Sequence, residues 1–180
     1  FRPLTKWNTS LDEASRLPAA MRTAFRAMTT GRPGAVHLAF PFDTQKGKVN
    51  PGEIWAEERH RTWPSEPAGA DPAAIAEAAS LLSKAKAAVI ICGGGLVSAG
   101  AAAPLLRLAR ALDMPVATSV SGQGAIAESD PLAVGVVGSN GGVPSTRAVV
   151  DAADVVLFVG CRAGSVTSER WRSPKPGTTI

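Results

Sequence analysis

The sequence predicts an α/β protein: a parallel sheet with helices on both faces, preceded by a helix–strand remnant of another α/β domain. Three observations predict it. From Asp71 onward, helical stripes alternate with short apolar runs at the spacing of βαβ units. The main runs, Ala87–Cys92 and Val155–Val159, show no polar alternation, as expected of strands covered on both faces. Each run closes on glycine or small polar residues, and open α/β sheets take their ligands at those carboxyl ends.

Residues 1–43 read as one helix and one strand. Pro18 suits a helix first turn, and Met21, Ala24, Phe25 and Met28 then form one apolar stripe. Gly31 and Pro33 stop the helix. Ala35–Phe40 reads as a strand ended by Pro41. A lone helix and strand cannot bury a core, so this segment is expected to be the tail of a domain whose front lies elsewhere. Residues 44–70 carry Pro51, Pro64, Pro67, Gly47, Gly52 and Gly69 without a period, the composition of an extended polar linker. Trp55 and Trp63 are expected to pin it against a domain surface, and all four tryptophans are placed in loops.

Residues 71–180 form the third region. Asp71-Pro72 is a cap and first-turn pair, with Ile75, Ala78, Ala79 and Leu82 on one helix face. Ala87–Cys92 is a buried strand and Gly93–Gly100 a loop. Leu105, Leu108 and Leu112 mark the next helix, with Arg107 and Arg110 on its wet side. Pro115–Thr118 and Pro131–Val137 are short strands, Pro144–Ala153 a helix, and Val155–Val159 a fourth buried strand. The chain opens on Phe1 inside an apparent loop and stops as a β-branched stretch begins at Thr178-Thr179-Ile180. Both ends therefore read as cut from something longer.

Composition narrows the function. The 180 residues are 45% hydrophobic and 19% charged, as in soluble globular proteins. A net charge of +4, with the basic residues scattered, gives no nucleic-acid arm. No apolar run is long enough to cross a bilayer and no signal peptide opens the chain, so no membrane partner and a cytoplasmic setting are expected. Two cysteines make no disulfide framework.

The Gly93-Gly94-Gly95 turn invites a dinucleotide, but the fingerprint G-x-G-x-x-G has Ser98 at its third glycine. The acidic residue expected at the end of the next strand is also missing, since that strand ends at Thr118-Ser119. The phosphate loop fails as well, because Gly100 is followed by Ala101. The turn then either holds an anion with its N–H groups or is simply a tight strand-to-helix connection. His37 is expected to be a hydrogen-bonded strand residue, and neither it nor His60 has partners at metal-ligand spacing. Cys92 and Cys161, at strand ends, read as small buried thiols. Asp151 and Asp154 flank a helix-to-strand turn where solvation accounts for them. Arg162 is the one charged group at a strand's carboxyl end in glycine-rich surroundings, able to meet a phosphate or a neighbouring subunit.

These residues, taken in order, resemble a known family. Pro3-Leu4-Thr5-Lys6-Trp7-Asn8, Ala24-Phe25-Arg26, Gly31-Arg32-Pro33-Gly34-Ala35-Val36-His37-Leu38 and Pro41-Phe42-Asp43 are similar to the close of the pyrimidine-binding domain in thiamine diphosphate enzymes of the acetolactate synthase type. That family reads G-R-P-G-P-V-x-L-x-x-P-x-D, and Ala35 replaces its second proline. Ala88–Gly95, Pro115–Thr118 with Gly122-Gln123-Gly124, Gly135–Gly138 and Ala153–Arg162 resemble its central domain.

The resemblance implies a Rossmann-like central domain over 71–180, with 44–70 a linker and 1–43 the remnant of the pyrimidine-binding domain. It implies a carboligase or decarboxylase of 2-keto acids that uses thiamine diphosphate and Mg²⁺, as a homodimer or homotetramer. The activating glutamate and the G-D-G…N metal motif belong to regions outside this sequence, so no catalytic or metal-ligating residue is carried over and the piece alone is expected to be inactive. Its partners would be the pyrimidine- and diphosphate-binding domains of the same chain.

Some relatives hold FAD in this domain, others ADP or nothing. Gly93, Gly94, Gly95, Ser119, Val120, Gly138, Gly160 and Arg162 are the cofactor-binding candidates on that likeness. Two departures tell against FAD. The family's G-M-H-G turn reads Gly135-Val136-Val137-Gly138, and its R-F-D-D-R reads Arg162-Ala163-Gly164-Ser165-Val166. The alternative from another class is a free-standing FAD- or ADP-binding module.

Overall fold

The computed structural model describes all 180 residues and divides them into two compact units, Phe1–Gly69 and Ala70–Ile180. No helix in it is long and apolar enough to cross a membrane.

In the first unit, helix α1 (Leu17–Thr29) starts with Pro18 in its first turn and ends at Thr30, whose N–H returns to Arg26 O. Gly31 follows in the left-handed region at φ +61°. Strand β2 (Val36–Ala39) forms where the apolar run predicts it, but it has a partner the sequence did not announce: β1 (Trp7–Ser10) pairs with it in parallel, Asn8 opposite His37. Trp7 therefore belongs to a strand and not to a loop. Three polar residues after a single tryptophan give β1 too weak an alternation to read. The ring of His37 stacks on Phe1, 3.9 Å between centroids, in place of the expected hydrogen bond.

Residues 44–69 contain short 3₁₀ turns at Thr44–Lys46, Pro51–Glu53 and Glu58–Arg61 and pack within the same unit. Polar bonds hold them. Trp63 donates its indole N–H to Gly31 O at 2.6 Å, and Ser65 Oγ donates to Thr29 O at 3.0 Å. His60 is buried, with Nε2 3.1 Å from Glu57 Oε2 and Nδ1 3.1 Å from Thr29 Oγ1. Glu57 also binds Arg26, and that hydrogen bond holds its carboxyl below the usual range. The tryptophans differ in role: Trp55 lies half-exposed under the Arg22 guanidinium, 4.1 Å from ring centroid to Cζ.

The second unit is a four-stranded parallel sheet in the order β5-β4-β3-β6, with β3 (Ala88–Cys92), β4 (Val116–Thr118), β5 (Ala133–Val136) and β6 (Val155–Val159). Both faces are covered. Ile90, Cys92 and Val116 point to one face and pack with Leu105 and Ala109 of α4 (Ala102–Ala111) and, half-buried, Leu82 of α2 (Pro72–Lys84). Val89, Ile91, Ala117 and Val156 point to the other and meet Val149 and Val150 of α5 (Pro144–Asp151). This is the alternating parallel arrangement expected.

Four details differ from expectation. The Gly93–Gly100 loop contains a short helix, α3 (Gly94–Ser98). The buried face of α4 is Leu105 and Ala109, while Leu108 and Leu112 stay partly exposed, because the sheet lies on the i, i+4 side. Helix α2 is capped by Asp71, whose carboxylate accepts Ala73 N–H at 3.0 Å, yet it buries no residue completely and Ile75 is 56% exposed. Strand β6 buries only Val156 completely; beyond it Thr179 forms a single parallel bridge to Val155.

Candidate functional site

Parallel strands place all their carboxyl ends on one edge, so four turns line up there in the order Gly138, Ser119, Gly93, Gly160. Strand order reverses between β3 and β6, since the chain leaves β3 towards β4 and returns on the other side to make β6. That reversal is where an open sheet splits its loops apart and leaves a crevice. Gly93-Gly94-Gly95 flank it on one side and Gly160-Cys161 on the other.

The residues singled out from sequence do meet at this edge. Gly93 N–H donates to Val159 O at 3.0 Å, and Gly95 N–H to Gly160 O at 2.9 Å. Ser119 is buried and its N–H donates to Cys92 O at 2.9 Å, while Val120 is half-exposed. Gly138 sits at φ +101° and Gly160 at φ +57°. Arg162 follows β6 on the surface, exposed and outside every ion pair of the chain. One contributor was overlooked. A Cβ on Gly122 would lie 2.3 Å from Cys92 O, so this glycine lets the chain after β4 press against the end of β3. Its signal was its place in the glycine-rich stretch after β4.

The two cysteines are neighbours at this edge. Burial pushes the Cys92 thiol up to about 11, with Cys161 nearby adding to the shift. Burial raises Cys161 as well, against the pull of the Ser119 and Thr167 hydroxyls. Thiols shifted upward lie in apolar surroundings and are poor nucleophiles.

The opposite edge holds a feature that solvation does not explain. Asp154 accepts Lys86 N–H at 2.7 Å and Ala87 N–H at 3.0 Å, tying the start of β3 to the start of β6. Those backbone bonds, Lys86 first, hold its carboxyl below the usual range. Asp151 anchors Arg147 at 3.5 Å, and Arg147 reaches Glu169 at 2.6 Å.

No group of three or more His, Cys, Asp or Glu converges anywhere in the chain. The edge is backbone and small side chains, a scaffold surface of an α/β domain.

Comparison with known proteins turns that class into a family. Residues 75–180 match the family "Thiamine pyrophosphate enzyme, central domain", and the chain belongs to it. It is 37% identical over 164 residues to a "Probable acetolactate synthase large subunit" of Methanocaldococcus jannaschii, covering 90% of this chain and 27% of that one. It is 30% identical to glyoxylate carboligase of Escherichia coli O157:H7, covering 89% of this chain and 26% of that one. A solved structure described as "X-ray structure of a putative thiamin diphosphate-dependent enzyme isolated from Mycobacterium smegmatis" shares the fold. Its TM-score is 0.68 at 23% identity, covering 89% of this chain and 30% of that chain. This chain spans about a quarter of the length of the curated relatives it matches. The alternative of a free-standing nucleotide-binding module finds no support.

Proposed function

We propose that this chain supplies the central scaffold of a carboligase or decarboxylase of 2-keto acids that uses thiamine diphosphate and Mg²⁺. Residues 71–180 are the central domain, 44–70 its connection, and 1–43 the close of the pyrimidine-binding domain. The observation that carries this is the likeness to acetolactate synthase large subunits, which covers 90% of this chain and not only the matched domain. Thiamine diphosphate, held by the other domains, would supply the carbanion chemistry of the reaction, and no residue of this chain is assigned to it.

Its own residues do a different job. The Asp154 clasp and the crowded glycine edge keep the two ends of the sheet rigid. The pyrimidine- and diphosphate-binding domains of the same polypeptide would carry the chemistry, and a cytoplasmic homodimer or homotetramer is the working assembly.

The test uses the full-length gene product with pyruvate, 2-ketobutyrate and glyoxylate in turn. Carbon dioxide release that needs both thiamine diphosphate and Mg²⁺, that stops on chelation and that returns with added Mg²⁺ is expected. Absence of turnover with all three acids and both cofactors present would remove the proposal.

A further inference from the structure

We infer that the strand-end crevice of this domain is sealed by the chain's own backbone and takes neither FAD nor ADP. This goes beyond the function proposed above, which leaves the crevice's content open; it rests on the family assignment only for the expectation that a nucleotide diphosphate would lie there. Such a ligand at the head of a helix needs several N–H groups aimed at it and open space above them. Most of both is already used.

Of the first three N–H groups of α3, two are spent inside the chain: Gly95 N–H on Gly160 O at 2.9 Å and Leu96 N–H on Gly93 O at 3.0 Å. The space is filled by the Gly160 peptide itself. A Cβ on Gly95 would come 2.8 Å from Gly160 O and 3.1 Å from Gly160 Cα, and one on Gly160 would come 2.2 Å from Leu96 N. The other flank is as tight, since a Cβ on Gly94 would lie 3.0 Å from Ser121 O. Glycine is required here because backbone meets backbone, not because a phosphate approaches.

Farther along the edge, the chain after β6 folds across the β5 turn. Ser139 N–H donates to Val166 O at 2.9 Å, and a Cβ on Gly138 would meet that same oxygen at 2.4 Å. The stretch that crosses, Gly164 to Val166, offers no acid to a ribose or a flavin ring, and Gly135–Gly138 offers no histidine. Arg162 alone would face the charge of two phosphates, and it stands exposed.

The experiment takes the full-length enzyme as purified from cells. Its absorbance spectrum and the supernatant after heat denaturation are read for flavin and ADP, and the protein is then dialysed to equilibrium against FAD and against ADP. A colourless protein that releases neither compound, takes up far less than one of either per chain and keeps its thermal midpoint in their presence is expected. One FAD or ADP per chain, as purified or after dialysis, would overturn the inference. The same preparation is assayed with thiamine diphosphate and Mg²⁺, which separates the two ideas. Turnover with one flavin per chain sinks only the sealed crevice, whereas no turnover from a protein that binds no flavin leaves the crevice standing and sinks the enzyme reading.

Discussion

The two units of this chain are held together by different physics. In Ala70–Ile180, β3 lies at the centre of a sheet covered on both faces, and Ile90, Ile91, Met114, Val116 and Val156 are almost wholly removed from water. In Phe1–Gly69 the buried apolar side chains are Leu11, Pro18 and Ala24, while Phe1, Leu4, Phe42, Ile54 and Trp55 face solvent. What joins that unit is directional: Lys6 Nζ on Thr30 O and Arg32 O, Trp63 on Gly31 O, Thr44 Oγ1 on Leu11 O, and the Arg26–Glu57–His60 series. Each neutral bond contributes only about 1 kcal/mol net, whereas a single buried aliphatic side chain contributes about 2 or more. A parallel pair of strands with one helix has little stability of its own. The lesson is that the second unit is built on apolar burial, while the first is shaped mainly by hydrogen bonds.

The largest expected effect tests this directly. Ile90→Ala empties a site with no exposure at the middle of β3 and should cost about 4 kcal/mol. Phe25→Ala, on the half-exposed stripe of α1, should cost less than about 1 kcal/mol. Urea unfolding of both variants decides it, and equal losses would break the contrast between the units.

A smaller effect sharpens the picture inside the second unit by separating crowding from backbone strain. Gly160 and Gly177 both have positive φ, +57° and +94°. A Cβ on Gly177 meets nothing within 4 Å, but one on Gly160 runs into Leu96 N. Gly177→Ala should therefore cost about 1 kcal/mol, from conformation alone. Gly160→Ala should cost about 3 kcal/mol, because overpacking is added to it. If thermal melts place the two variants together, the closeness of the turns at the strand ends is not what fixes them.

Much of this architecture was legible in the sequence because the strong signals were apolar and local. Ala87–Cys92 and Val155–Val159 announce strands by their continuous hydrophobicity, and Asp71-Pro72 and Pro144 announce helix starts. Features that depend on distant partners were not legible. Strand β1 is polar enough to pass for loop until Val36–Ala39 lies beside it. The orientation of α4 is decided by the sheet beneath it, so spacing alone picked Leu105 correctly but Leu108 and Leu112 in place of Ala109. At the candidate site, sequence located the edge and its glycines. It could not tell a cradle from a crossing, since glycine serves both, and only the position of Gly160 against Gly95 separates them.

The smallest effect lies at the opposite edge and is read through pH. Asp154 accepts two backbone N–H groups, from Lys86 and Ala87, and they hold its carboxyl below the usual range. The unfolded chain would titrate this group near about 3.9, above its folded value, so the unfolded state takes up the proton first as pH falls. The clasp therefore stabilises in full above roughly pH 4 to 5 and fades as pH drops through the lowered folded value. Asp154→Asn keeps one acceptor oxygen and loses the charge. Because the residue is exposed, its removal should shift the thermal midpoint less than either change above. The gap between the parent and Asp154→Asn should be widest near pH 7 and close steadily below about pH 4. Melts collected across that range check it. A gap that stays constant into acid would mean that the shape of the side chain, and not its charge, ties β3 to β6.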